Sequence, residues 1–128
     1  MRFAQTHNLR VAIKSSGHDY LGRSTAKNSL LFWTRNFNNI TFHDFFKVGD
    51  HDMGSAVTVG SGVGFHTLYG AAKAQGKIVV GGTGASIAAA GGYLQGAGHA
   101  LISPLHGLGA DNALGILKGL SRLPRFNY

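Results

Sequence analysis

The stretch Lys14-Ser15-Ser16-Gly17-His18-Asp19-Tyr20, directly after the apolar run Leu9-Arg10-Val11-Ala12-Ile13, decides the fold. Residues 9–13 predict a buried strand. Two small residues and a glycine at its end predict a tight loop. Such a loop can turn several backbone N–H groups toward one anion, because no bulky side chain blocks the approach. His18 then stands where its imidazole can meet whatever the loop holds. A second, glycine-dense stretch from Gly81 to Gly98 supplies the other half of a cradle.

Working outward, residues 1–8 read as the last turns of a helix with no capping residue before it. Leu30, Leu31, Phe32 and Trp33 predict a second buried strand over 29–34, and Asn36, Asn38 and Asn39 a turn before a third over 40–43. Residues 47–55 are polar, with Asp50, Asp52 and two glycines, and read as a surface loop. Val57 and Val59 alternate as in a half-buried strand over 56–60. Phe65, Leu68, Tyr69 and Ala72 fall at the i, i+3, i+4, i+7 spacing of a helix over 64–75, with Gly76 as its stop. Ile78, Val79 and Val80 predict a short buried strand running into Gly81-Gly82. A small-residue stretch to Ala90, a Gly-rich loop to Gly98 and a short helix near 104–114 follow. Mixed helices and strands make this an α+β chain.

The 128 residues allow one domain and a modest core, and a hydrophobic fraction of 44% is that of a globular protein. The 20 glycines are clustered rather than periodic, which excludes collagen-like and linker readings. With no cysteine, disulfides and thiolate metal sites are excluded and the compartment stays open. No segment approaches the roughly 20 apolar residues of a membrane span, and Met1-Arg2-Phe3-Ala4 does not begin a signal peptide.

The formal charge of +7 comes from 12 Lys and Arg against 5 acidic residues, all Asp. Such a balance suits nucleic acid, an anionic surface or a polyphosphate cofactor. The cations are scattered from Arg2 to Lys77, with a group Lys118, Arg122 and Arg125 at the end. No basic stripe interleaved with aromatics marks a single-strand binder. A small basic module for nucleic acid or anionic surfaces is therefore the rival reading. Gly60-Ser61-Gly62-Val63-Gly64 only loosely matches a dinucleotide fingerprint, since Val80 and Gly81 stand where an acidic residue belongs. The pairs His43/His51 and His99/His106 lack the carboxylate and spacing of a metal site, so no metal is expected.

The string from Lys14 through Tyr20 to Leu21-Gly22-Arg23-Ser24 resembles the first flavin loop of the berberine-bridge-enzyme-like oxidases. These belong to the FAD-binding superfamily of vanillyl-alcohol oxidase and p-cresol methylhydroxylase. Further matches follow in order: Val57-Thr58-Val59-Gly60-Ser61-Gly62, Val79-Val80-Gly81-Gly82, and Ala90-Gly91-Gly92-Tyr93-Leu94-Gln95-Gly96-Ala97-Gly98-His99, running on into Gly107-Leu108-Gly109-Ala110-Asp111-Asn112. The resemblance implies an α+β FAD-binding domain of the p-cresol-methylhydroxylase type, incomplete over 1–114. One small portion would lie before about Thr41 and another after it. A diphosphate needs oriented N–H donors and close backbone approach, and two Gly-rich loops offer both.

From the first loop, the cofactor-binding set is Ser15, Ser16, Gly17, His18, Asp19 and Tyr20. From the second it is Gly81, Gly82, Ser86, Gly91, Gly92, Gln95, Gly96 and Gly98. Tyr93 and Ile87 lie nearby to cover flavin or adenine faces. In the family, the histidine matching His18 bonds to the ring methyl of the flavin, so a covalent link is implied. Neutral imidazole is the nucleophile required, and histidine, with an ordinary pKa of about 6.5, supplies it. Many members add a second bond through a cysteine at the position matching Gly84; with no cysteine, that bond is excluded here.

The family's oxidation of an alcohol, sugar or alkaloid-like substrate passes a hydride to FAD, and dioxygen reoxidises it. A following substrate domain carries the catalytic base. Here the similarity stops near Leu114, and the tail over 115–128 does not continue the family's strand. The resemblance thus implies a fragment, incomplete at both ends, of an FAD-linked oxidoreductase. It would bind FAD, lack its own complete active site, and serve a small-molecule substrate rather than nucleic acid or a membrane. The chain has no Glu and no carboxylate pair placed for acid–base work, so no catalytic residue is assigned.

Overall fold

The computed structural model describes residues 2–116. Its elements run α1 (Arg2–Thr6), β1 (Arg10–Lys14), β2 (Ser29–Trp33), β3 (Ile40–His43), β4 (Lys47–Val48), β5 (His51–Asp52), β6 (Ala56–Val59), α2 (Phe65–Ala74), α3 (Gly92–Gln95) and α4 (Ser103–His106). The chain is α+β, as its mixed pattern predicts. The readings of Met1 and of the tail beyond residue 116 lie outside the described residues.

Three two-stranded ladders form. β1 and β2 pair in parallel with Val11 opposite Leu30 and Ile13 opposite Phe32. β3 and β6 pair antiparallel with Ile40 opposite Val59. β4 and β5 close a small hairpin.

The core sits where α2 crosses the β3–β6 ladder. Val63, Phe65, Leu68 and Ala89 are buried, with Ile40, Val57, Val59, Val79, Ile87 and Tyr93 packed against them. Phe65 and Leu68 are each 1% exposed. Burying a side chain of that size stabilises by about 1.5–3 kcal/mol relative to leaving it in water. The helix forms because Phe65, Leu68 and Ala72 share one face and all three are buried. Gly76 adopts φ +64 and ends it, while Gly76 N donates to Lys73 O at 3.0 Å and Lys77 N to Ala72 O at 2.9 Å. These bonds satisfy carbonyls that a helix end otherwise leaves bare.

Four expectations need correction. The strands over 9–13 and 29–34 exist as β1 and β2, but of these residues only Ala12 and Thr34 are buried. Ile13 is 56% exposed and Trp33 54%, while Ala12, on the other face of β1, is 6% exposed, so β1 is covered on one face only. Residues 78–80 form no strand among the described residues, and Ile78 is 80% exposed. The surface loop over 47–55 lies on the surface but contains the β4–β5 hairpin, turned at Gly49-Asp50. The helix near 104–114 stops at His106. Asp111 Oδ2 accepts from Leu108 N, and Asn112 Nδ2 donates to the carbonyls of His106 and Leu108, so these side chains hold a loop instead.

The two ladders are locked together at a backbone crossing. A Cβ on Gly60 would lie 2.2 Å from the Phe37 carbonyl oxygen, and one on Gly62 would lie 2.3 Å from that of Arg35. Gly62 N donates to Phe37 O at 2.8 Å across the same contact. Only a residue without a side chain allows that approach.

Candidate functional site

The loop after β1 is anchored from three sides. Ser15 Oγ donates to the Ser61 carbonyl. The Ser15 carbonyl accepts from Trp33 Nε1 at 3.0 Å. Ala88 N donates to Ser16 Oγ at 3.2 Å. The Lys14 ammonium lies 4.4 Å from the centre of the Trp33 ring, a cation–π contact that stiffens the end of β1. Thr34, the one buried polar residue among the described residues, donates through Oγ1 to the Lys14 carbonyl at 3.3 Å.

His18 reaches the same facing segment as Ser16. Its Nε2 lies 2.9 Å from Ser86 Oγ. The two cross-links therefore run antiparallel, Ser16 to Ala88 and His18 to Ser86, each side chain spanning between the loops. Farther along, a Cβ on Gly91 would lie 3.8 Å from Ser15 Cβ, so Gly91 passes close to the start of the first loop. Sequence positions about 70 apart thus meet along one seam.

The backbone along that seam has unfilled donors. Gly17 holds φ +90 in the turn. Among the described residues, no group accepts from the N–H of Ser16, Gly17, His18, Asp19 or Tyr20, nor from that of Gly81, Gly82, Thr83, Gly84, Ala85 or Ser86. Backbone N–H groups rarely stay unpaired except where water or a ligand meets them. Two runs of such donors, on two segments that touch through His18 and Ser86, suit an anionic group, and a diphosphate is one.

Other members of the expected set sit differently. Asp19 is occupied locally: Arg23 donates to it from its backbone N at 2.5 Å and from Nε at 3.0 Å. Those bonds, with the guanidinium charge, hold the Asp19 carboxyl below its ordinary pKa. Tyr20 is fully exposed. Gly81 and Gly82 lie against an aromatic cluster. A Cβ on Gly81 would be 2.3 Å from Phe65 Cε1, and Tyr69 Oη donates to the Gly82 carbonyl at 2.8 Å. Gly92, Gln95 and Gly96 make α3 and its end, with no hydrogen bond to the first loop. Gly98 is buried under Tyr93, whose Oη donates to the Gly98 carbonyl at 2.9 Å.

Phe65 stacks on Tyr69 at 5.5 Å between centroids and meets Tyr93 edge-on at 4.7 Å. Burial pushes both tyrosine pKa values up. On its outer side the cluster opens into a cleft of about 460 Å³ lined by Tyr69, Lys73, Ile78, Gly82, Thr83 and Leu101, among others.

Sequence reasoning missed Ser61, Trp33, Thr34 and Ala88, which fix the first loop. Ser61 lies inside the quoted Gly60-Ser61-Gly62 motif, but its part is played by a carbonyl, and any residue type has one. Among the described residues, no group of three or more His, Cys, Asp or Glu could hold a metal, and His43 Nε2 lies 2.9 Å from Thr58 Oγ1. Among the described residues, no helix is long and apolar enough to cross a membrane.

The α+β scaffold brings the loop after β1 against the segment that leads into α3, with His18 and Ser16 spanning between them. The chain belongs to the FAD binding domain family, whose profile it matches over residues 1–117. It is 44% identical over 118 residues to an uncharacterized FAD-linked oxidoreductase of Arthroderma benhamiae, covering 89% of this chain and 20% of that protein. A VAO-type flavoprotein oxidase of Thermothelomyces thermophilus is 41% identical over 114 residues, again covering 89% and 20%. A flavin-dependent oxygenase of Aspergillus ustus is 47% identical over 116 residues, covering 89% and 21%. Among solved structures, a VAO-type flavoprotein from Myceliophthora thermophila superposes with a TM-score of 0.81 at 41% identity, covering 86% of this chain and 20% of that one. The chain thus spans about a fifth of the length of the curated relatives it matches. It is homologous to the FAD-binding domain of FAD-linked oxidoreductases.

Proposed function

We propose that residues 1–114 form the FAD-binding unit of an oxidoreductase, that the seam between the loop after β1 and residues 81–92 receives the FAD diphosphate, and that His18 bonds covalently to the flavin ring. What supports this most is the pair of antiparallel cross-links, Ser16 to Ala88 and His18 to Ser86, beside two runs of unpaired backbone N–H groups. Ser15 and Ser16 act by fixing the loop, and Gly17 by letting the backbone turn without a side chain in the way. His18 stands within the first donor run, its imidazole against Ser86 of the second segment, within reach of a ring attached to a diphosphate held there.

When bound, FAD supplies the hydride acceptor for an alcohol, sugar or alkaloid-like substrate and passes the electrons to dioxygen. The chain's own residues orient the cofactor, while Ile87 and Ala89 pack into the core behind the seam and hold Ser86 and Ala88 in place. Asp19 contributes through the loop it closes with Arg23 rather than by touching the cofactor. The partner is a small-molecule substrate, not nucleic acid or a membrane. A single covalent bond is expected, since Gly84 offers no side chain for a second.

The test is the visible spectrum of the purified chain before and after acid precipitation. Yellow flavin retained in the precipitate, and lost in His18→Ala, supports the linkage. If the wild type binds flavin well and then releases all of it on denaturation, the covalent bond is wrong. Affinity for nucleic acid that falls steeply with salt, with no flavin absorbance, would replace this reading with the rival one.

A further inference from the structure

We infer that Ser86 is a positioning residue for His18: its Oγ accepts from Nε2–H and so leaves the lone pair on Nδ1 as the nucleophile. The inference deepens the proposed covalent linkage and rests on that reading. His18 Nε2 lies 2.9 Å from Ser86 Oγ, and no described residue bonds Nδ1. A neutral imidazole carries one N–H and one lone pair. If Ser86 donated to Nε2, the hydrogen would sit on Nδ1 and neither nitrogen would keep a free lone pair. Only the opposite arrangement preserves both the observed contact and a nitrogen able to attack.

The same contact helps as the bond forms. Attack joins Nδ1 to the flavin ring methyl carbon, which gives up one C–H proton while the electron pair passes into the ring. The imidazole becomes cationic, and its Nε2–H···Oγ bond turns charge-assisted and stronger. The Nε2 proton then leaves to water. Dioxygen takes the two electrons with two protons, so the step balances as loss of one hydrogen from His18 and one from the methyl group, with hydrogen peroxide formed. Ser86 thus favours the attacking tautomer in the resting chain and stabilises the charge that develops.

The seam gives Ser86 its placement. Ser16 accepts from Ala88 N at 3.2 Å, two residues along on each loop, and this second bond sets the spacing that brings residues 18 and 86 together. Ser86 is itself exposed, so replacing it leaves the core untouched.

The experiment uses the whole chain labelled with nitrogen-15 at histidine. Without flavin, at a pH above the ordinary histidine range, wild type should show the Nε2–H tautomer of His18, and Ser86→Ala a mixture of both. With added FAD, acid-stable flavin should form about tenfold more slowly in Ser86→Ala, and Ser86→Thr should restore the rate to within about twofold. Matching melting curves show that the variants fold. Equal ring shifts in wild type and Ser86→Ala, or equal attachment rates, would overturn the positioning role. If wild type never holds acid-stable flavin while its tautomer still depends on Ser86, the covalent reading fails and the positioning contact stands.

Discussion

Replacing Gly62 with alanine tests whether the crossing of the two ladders holds the loop in place. The new Cβ would lie 2.3 Å from the Arg35 carbonyl oxygen and 2.5 Å from that of Thr34. Ordinary contact needs about 3.5 Å, so one backbone must retreat by roughly an ångström. Overpacking of that kind costs about 1–3 kcal/mol. The retreat also strains Gly62 N to Phe37 O and the bond from Ser15 to the Ser61 carbonyl, each contributing about 1 kcal/mol. The expected total is about 3–5 kcal/mol. For a domain of this size that lowers Tm by roughly 10–20 °C. Thermal unfolding followed by far-UV circular dichroism measures it. Gly70→Ala is the control: Gly70 sits on the exposed face of α2 with nothing within 4 Å of its would-be Cβ. There alanine should stabilise by about 0.5–1 kcal/mol. A Gly62→Ala chain that melts within about 2 °C of wild type would refute the crossing as a structural lock.

Phe65→Ala removes the largest fully buried ring and should destabilise by about 3–5 kcal/mol, read by denaturant unfolding; a loss below about 1 kcal/mol would deny Phe65 its central place. Tyr69 and Tyr93 have pKa values raised by burial, so the folded state keeps its protons longer than the unfolded chain. Stability tied to them is therefore full below the ordinary tyrosine value of about 10 and declines as pH rises through the raised folded values. Melting temperatures measured from neutral pH upward should fall in that alkaline window, and less so in the Tyr69→Phe, Tyr93→Phe double variant.

The helix α2 was legible because Phe65, Leu68, Tyr69 and Ala72 repeat at the spacing of a helix face, and Gly76 marks the stop. The two halves of the seam were legible as small-residue runs, and the expected meeting of residues near 18 with residues near 86 is what the fold contains. Burial was less legible. Leu30 to Trp33 read as a buried strand because apolar runs state what a segment would bury, not what lies opposite it. Ile78 to Val80 misled in the same way, since pairing depends on a neighbour elsewhere in space. Gly60 and Gly62 resembled a loose cofactor motif, yet their absent side chains serve a backbone crossing. Ser61 and Ala88 act through peptide groups, which leave no trace in residue type.

The lone parallel pair of β1 and β2 carries a further consequence for handling the chain. Parallel strands are ordinarily sandwiched between layers, and a two-stranded ribbon by itself is marginal. Among the described residues each strand has one partner, and Leu30, Leu31, Phe32 and Trp33 are all at least 40% exposed. Unsealed strand margins with oily flanks template pairing between molecules. Concentrated solutions should therefore turn turbid in a dose-dependent manner, and a lysine placed at Leu31 should delay the clouding while leaving the aromatic cluster beneath α2 intact.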